Sequence, residues 1–197
     1  MASQYDRPEY STIRYLNWAE MRDRDHFVQF YSEESDIVEA VASYFAHGLR
    51  FGDVCIIAGT HEHNAAIESL VARLVKPFDR TGEGNLIVLD AHETLSKFMI
   101  DGRPDPELFE NVVGSLIRDA AASKRPIRIF GEMVDVLAKD GKAAAAVALE
   151  HLWNDLGRKF DFRLFCGYAE DSLRHPASIP HTHEICASHN HVLRTHS

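Results

Sequence analysis

The sequence predicts an α/β fold of three layers, a mostly parallel sheet with helices on both faces. Three observations carry this prediction. Apolar runs too short for helices recur along the chain, segments with apolar residues at helical spacing separate them, and Gly, Pro, Asp or Ser marks most junctions. Strands alternating with helices are the pattern of βαβ units, which set the strands parallel and bury both faces of the sheet.

Residues 1–25 are polar and charged, with Tyr5, Tyr10, Tyr15 and Trp18 but no core periodicity. They read as a loosely ordered arm, or as a segment that docks on the body or on a second subunit, since Tyr and Trp favour interfaces. Residues 26–193 read as one domain and 194–197 as a tail. Phe27 to Tyr31 is a strand, and Ser32 with Glu33 and Glu34 starts a helix whose buried stripe is Ile37, Val38, Val41, Phe45 and Leu49. Gly48 or Gly52 ends that helix.

Val54 to Ala58 is a strand buried on both faces, closed by Gly59, and Thr60 caps the next helix with Glu62 in its first turn. That helix runs through Ile67, Leu70 and Leu74 to Pro77. After a loop at Gly82 to Gly84, Leu86 to Leu89 reads as a third buried strand ending on Asp90. Residues 91–100 look helical, and the chain turns at Asp101 to Pro104. Asp105-Pro106 opens a helix by the cap-then-proline rule, with Phe109, Val113 and Ile117 inward. Ile127 to Phe130 is a fourth strand, Gly131-Glu132 leads into a short helix broken at Gly141, and an alanine-rich helix buries Leu149, Trp153 and Leu156. Phe162 to Cys166 is a fifth strand. From Ser172 the chain is polar and rich in histidine.

The 197 residues carry a formal charge of −9 and no block of lysine or arginine, which disfavours a nucleic-acid partner. No apolar run approaches the roughly 20 residues a membrane span needs. Three cysteines, without a hydrophobic leader, fit a reducing cytoplasm better than a disulfide framework.

In a parallel sheet the carboxyl ends of the strands share one rim, where helix N-termini offer free N–H groups. The residues expected there are Tyr31, Gly59, Thr60, His63, Asp90, Glu132, Cys166 and Tyr168, and they form the candidate ligand site, with Phe30, Ile57 and Phe165 as apolar walls. Each has a plainer role as well: Asp90 and Glu132 as caps or first-turn charges, Cys166 as a small buried hydrophobe. A phosphate loop needs Gly-x-x-x-x-Gly-Lys-Ser/Thr, and Gly59-Thr60-His61-Glu62-His63 lacks the lysine and the second glycine. The nucleophile-elbow and His-Glu-x-x-His signatures are absent, so no catalytic residue is assigned and no cofactor is expected.

A second candidate is the C-terminal histidine cluster, His175, His181, His183, His189 and His191 with Cys186 among them. His-x-His pairs near a cysteine suit zinc or copper, yet Cys186-x-x-His189 supplies spacing for two ligands only. The plainer reading is a solvated tail, or an amphipathic last helix packed back on the sheet.

Several collinear motifs resemble the MEDS domain, the methanogen/methylotroph DcmR-type sensory domain. They are His26-Phe27-Val28-Gln29-Phe30-Tyr31, Leu89-Asp90-Ala91-x-Glu93-Thr94-Leu95, Asp101-Gly102-Arg103-Pro104-Asp105, Phe130-Gly131-Glu132-Met133-Val134, Leu149-Glu150-x-Leu152-Trp153-Asn154, Phe165-Cys166-x-Tyr168 and Ile185-Cys186-Ala187-x-His189. The resemblance covers about residues 26–193. It implies a RecA/KaiC-like fold without a working phosphate loop, a sensor of small molecules such as hydrocarbons or their derivatives, often fused to histidine kinases or regulator modules. The chain departs from the family pattern at Leu137-Ala138, where Leu-Trp is frequent, and at Cys166-Gly167-Tyr168-Ala169, where Cys-Ala-Tyr-Pro is usual.

The expected function is therefore a stand-alone sensory domain that binds a small, hydrocarbon-like ligand and acts through a histidine kinase or other regulatory protein. It is expected to be non-enzymatic and homo-oligomeric, in keeping with the aromatic arm and the habit of RecA-like folds. Two alternatives are a RecA/KaiC-like nucleotide binder with weak or no hydrolysis, and a metal-binding regulator using the terminal histidines.

Overall fold

The computed structural model describes residues 18, 20–75, 86–174, 176 and 178–194. Tyr5, Tyr10, Tyr15, Pro77, the loop at Gly82 to Gly84, His175 and residues 195–197 lie outside them. Within the described residues the protein is a three-layer α/β structure on a six-stranded parallel sheet.

The first half alternates as the sequence predicts: β1 (His26–Tyr31), α1 (Glu34–Arg50), β2 (Val54–Gly59), α2 (His61–Leu74) and β3 (Leu86–Asp90). Then come α3 (Ala91–Ser96), the short strands β4 (Met99–Ile100) and β5 (Arg103–Pro104), and α4 (Pro106–Phe109), which continues through a π-helical turn, Glu110–Gly114, into α5 (Ser115–Ala122). The last part comprises β6 (Ile127–Gly131), α6 (Met133–Lys139), α7 (Ala143–Lys159), β7 (Arg163–Ala169), α8 (Glu170–Arg174), a 3-10 turn Ile179–His181, α9 (Thr182–Ala187) and β8 (His191–Arg194). The strand order is β3-β2-β6-β7-β1-β8.

Alternation along each strand sorts side chains into two cores. Cys55, Ile57, Phe130 and Phe165 face α1 and α2, whereas Val54, Ile56, Ile129, Leu164 and Cys166 face the layer of α3 to α7 and α9. Burying both faces is what allows β2 and β6 to be apolar without interruption.

Two expectations are corrected, and at the two ends of the chain the structure takes one of the readings the sequence left open. The third strand is not fully buried: β3 pairs only with β2 among the described residues, and Val88 is 36% exposed. Residues 91–100 are not one helix, because α3 stops at Ser96 and β4 folds onto β5 through Asp101 (φ 48) and Gly102 (φ 78). Both central residues are left-handed, as a tight two-residue hairpin requires. The polar C-terminus is built into the fold: Ile185 of α9 is fully buried against the core, and β8 pairs in parallel with β1 through Phe27↔His191 to Phe30↔Arg194. The end of the N-terminal arm also docks. Trp18 and Met21 are buried, the Trp18 ring lying 5.1 Å from Tyr44 and 5.7 Å from Phe165.

Beside Trp18 a buried ion pair joins β6 to the entry of β2. Arg128 Nε donates to Asp53 Oδ2 at 2.6 Å, and its guanidinium lies 4.9 Å over the Tyr44 ring. This pair sits at the amino-terminal end of the strands, leaving the other rim to carry the candidate site.

Candidate functional site

At the carboxyl rim, β2 ends on Gly59 and passes to α2 through Thr60 alone. Thr60 is the N-cap, its Oγ1 accepting the His63 N–H at 3.4 Å. This capping puts the His63 ring at the strand tip. β6 delivers Glu132 beside it, and Glu132 holds both neighbours: Oε2 accepts the Thr60 N–H at 2.9 Å, and Oε1 lies 2.6 Å from His63 Nδ1. The other ring nitrogen, Nε2, meets the carboxylate of Glu34 from the first turn of α1. Tyr31, at the end of β1, donates its hydroxyl toward Glu132 Oε1 at 3.4 Å and lies 3.5 Å from Asp135 Oδ2.

Gly59 is required here by close approach. A β-carbon on it would stand 2.7 Å from Asn64 Oδ1 and 3.3 Å from Glu132 Oε2. Asn64 in turn donates to Gly59 O at 3.1 Å and Leu89 O at 2.9 Å, tying the ends of β2 and β3 together.

The electrostatics are those of a buried pair. Burial alone would lower the pKa of His63, but the hydrogen bond and charge of Glu132, aided by Glu34, raise it above the usual imidazole value. Burial likewise opposes ionisation of Glu132, and its bonds to His63 and Thr60 override that, holding the carboxyl below its usual range. Each member of the pair thus favours the ionised form of the other, imidazolium beside carboxylate. Behind them burial raises the Asp135 carboxyl, countered in part by Lys139 Nζ at 2.9 Å. The rim opens on a cleft of about 640 Å³ lined by Glu34, Val38, Thr60, His63, Ala66, Glu132 and Lys139 among others. Its apolar wall is Val38 and Ala66, not the expected Phe30, Ile57 and Phe165, which are packed inside the cores.

The eight candidate ligand residues therefore fall into three groups. Tyr31, Gly59, Thr60, His63 and Glu132 converge. Asp90 sits one strand away, in register with Gly59, and caps α3 by accepting the Glu93 N–H at 2.8 Å. Cys166 and Tyr168 are on the other face of the sheet, because even-numbered positions of β7 point toward α7. Glu34, Asp135 and Lys139 join the rim group without having been anticipated. Nothing in the sequence sets Glu34, in the first turn of α1, or Lys139, at the end of α6, apart from other helix charges, and only Asp135, one turn after Glu132, carries a local hint.

On that other face Cys166 meets three residues from separate segments. His26 Nε2 lies 3.3 Å from Cys166 Sγ and 3.4 Å from Glu150 Oε2. Glu150 on α7 also takes the Tyr168 hydroxyl on Oε1 at 2.9 Å and stands 3.4 Å from His189 Nε2. All are buried, and the low-dielectric surroundings favour neutral forms: burial pushes the Glu150 carboxyl up to about 8 and His26 down to about 4.

Of the C-terminal candidates, only His189 joins this cluster. His191 stacks on Phe27 with ring centroids 4.3 Å apart, His181 faces Glu184 at 3.6 Å, His183 is exposed, and Cys186 packs at the edge of the core. The terminal histidines as a group do not converge among the described residues.

No helix of the described residues is long and apolar enough to cross a membrane. No curated protein matches the chain significantly. A family model, described as the MEthanogen/methylotroph, DcmR Sensory domain, matches residues 25–190. That span takes in both faces of the sheet, from β1 to the buried His189, and the chain accordingly belongs to the MEDS family of sensory domains.

Proposed function

We propose that this sensory domain binds a small organic molecule in the cleft at the carboxyl rim and passes the signal to a regulatory protein partner, such as a histidine kinase, without catalysing a reaction. The observation that carries the reading is the buried His63–Glu132 pair, open to the cleft through the Nε2 side of the ring. Glu34, the present partner of Nε2, is exposed on α1. A ligand oxygen takes its place, accepting the Nε2 hydrogen bond, while a short apolar body lies along Val38 and Ala66. This is the chemistry of an oxygenated hydrocarbon derivative: an alcohol, an aldehyde or a short carboxylate. Movement of Glu34 reports occupancy to α1, the element that would convey it to the partner.

The same geometry disfavours a nucleotide. The N–H of Thr60, where α2 would meet a phosphate, is already bonded to Glu132, and Glu34 and Glu62 add negative charge to the lining. A thermal-shift screen of short alcohols, aldehydes and carboxylates alongside ATP tests the reading. A ligand at 100 times its Kd adds about 2.7 kcal/mol. Stabilisation by small organics that vanishes in His63→Gln and Glu132→Gln is expected; stabilisation by ATP alone would refute it.

A further inference from the structure

We propose that His26, Cys166, Glu150 and His189 form a binding site for a single transition-metal ion, with zinc the best match, in the closed layer between the sheet and α7. The site is separate from the cleft and does not rest on its role in sensing. One ligand atom from each residue lies within 4.8 Å of the other three, and all four side chains are buried.

Around Glu150 Oε2 the separations from His26 and Cys166 are close to those of a coordination shell, and His189 approaches from the Oε1 side, within 4.8 Å of the others. Metal bonds of about 2.0 Å to nitrogen and oxygen and about 2.3 Å to sulfur, set tetrahedrally, place the ligand atoms of a one-sulfur set roughly 3.3–3.5 Å apart. The observed contacts are 3.3 Å for His26 Nε2 to Cys166 Sγ, 3.4 Å for His26 Nε2 to Glu150 Oε2, 3.4 Å for His189 Nε2 to Glu150 Oε1, and 3.8 Å for Cys166 Sγ to Glu150 Oε2.

The outer contacts point the lone pairs inward. Asn154 donates through Nδ2 to Ser188 O at 3.0 Å, which turns its Oδ1 to accept from His26 Nδ1 at 3.0 Å. His189 Nδ1 donates to Ile185 O at 2.6 Å. Each ring thus carries its proton on Nδ1 and presents a bare Nε2 to the centre, the arrangement that carbonyl and carboxylate partners impose on metal-binding histidines. A hydrogen-bonded core would satisfy those nitrogens, yet His189 Nε2 is buried without a hydrogen-bond partner. Two imidazole lone pairs, a carboxyl group and a thiol are a ligand set that a cation gathers once the thiol and the carboxyl give up their protons. Tyr168, bonded to Glu150 Oε1, steadies the carboxylate from outside.

With Cys166 as thiolate and Glu150 as carboxylate, a divalent ion makes the loaded centre neutral, as burial demands; the displaced protons leave to solvent. Four protein ligands fill a tetrahedral shell, so the centre is of the closed, structural type. It would fasten the α9–β8 segment, through His189, to β1, β7 and α7. A depression of about 370 Å³ with His26, Asn154 and Ser188 in its lining borders the site at His26.

The test is cobalt(II) and zinc titration of the untagged full chain after metal removal, read by visible absorption and metal content. One equivalent per chain is expected, with tetrahedral cobalt bands and a single thiolate charge-transfer band displaced by zinc. The near-isosteric Cys166→Ser should erase the thiolate band, and Glu150→Gln should weaken binding at least about 10-fold. His181→Ala/His183→Ala and Cys186→Ser should bind as wild type. Circular dichroism identifies any variant that has not folded. No tetrahedral cobalt spectrum in folded wild type, or a spectrum kept in Cys166→Ser and lost in Cys186→Ser, would overturn the assignment.

Discussion

Glu132 bridges the first turn of α2 and the ring at the next turn position, taking the Thr60 N–H on one carboxylate oxygen and His63 Nδ1 on the other. One buried side chain from β6 thereby fixes the residue that faces the cleft.

The pair predicts a pH window. His63 is raised above 6.5, so its contribution is fully present below pH 6.5 and is lost as pH climbs through the raised value. Glu132 is lowered below 4.5, so its contribution is present above pH 4.5 and is lost as pH falls through the lowered value. The groups facing His63 are Glu34 from α1, Tyr31 from β1 and Glu132, with Asp135 and Lys139 of α6 behind. Denaturant unfolding should show wild type more stable than His63→Gln by about 1.5–3 kcal/mol between those limits. The gap should narrow on either side; a gap that does not vary with pH contradicts the ion pair.

Gly59→Ala is expected to destabilise by about 1–3 kcal/mol, the range for overpacking. The added methyl meets Asn64 Oδ1 and Glu132 Oε2. It should also weaken the response to small organics, because Glu132 must shift. Equal melting of Gly59→Ala and wild type would show that the rim is looser than described.

Arg128→Met should cost about 3 kcal/mol, the lower end for breaking a buried pair, since the buried Asp53 carboxylate loses its near partner and keeps Arg163 Nη1 at 4.0 Å. Asp53→Leu/Arg128→Met together should cost less than the single change. Additive losses in this double-mutant cycle would show that the two charges act independently.

Self-association through the first residues is a further expectation, resting on Tyr5, Tyr10 and Tyr15 in the sequence. Light scattering should give a larger mass for the full chain than for one beginning at Trp18, which keeps the buried indole. Monomers in both cases would remove the idea.

The fold was legible wherever burial was two-sided. Val54 to Ala58 and Ile127 to Phe130 are apolar runs because both faces are covered, and Thr60 and Asp105 announced their helices by capping chemistry. β8 was hidden because a four-residue edge strand with only two apolar residues, Val192 and Leu193, is too short to show a periodic pattern. The hairpin at Asp101-Gly102 was obscured by Phe98, Met99 and Ile100, whose apolar run continues the helical pattern of α3. At the site, five rim residues followed from strand ends alone. Cys166 and Tyr168 were misplaced because the register of β7, and hence which face they occupy, was open until pairing with β1 fixed it. Glu150 did leave a signal: a carboxylate amid Ala146, Leu149 and Trp153, on the inward stripe of α7. His26 left none, since its partners lie in distant segments, and His189 was a candidate only beside Cys186 and the other terminal histidines, not with these residues.

The most direct test of the account is the side-chain nitrogen spectrum of the histidines during titration with a short alcohol, aldehyde or carboxylate that stabilises the protein. The Nε2 resonance of His63 should move in proportion to occupancy, with His26 and His189 unchanged, and Glu34→Gln should alter that shift. Movement of His26 and His189 with His63 silent would place ligand sensing on the other face of the sheet and contradict the central claim.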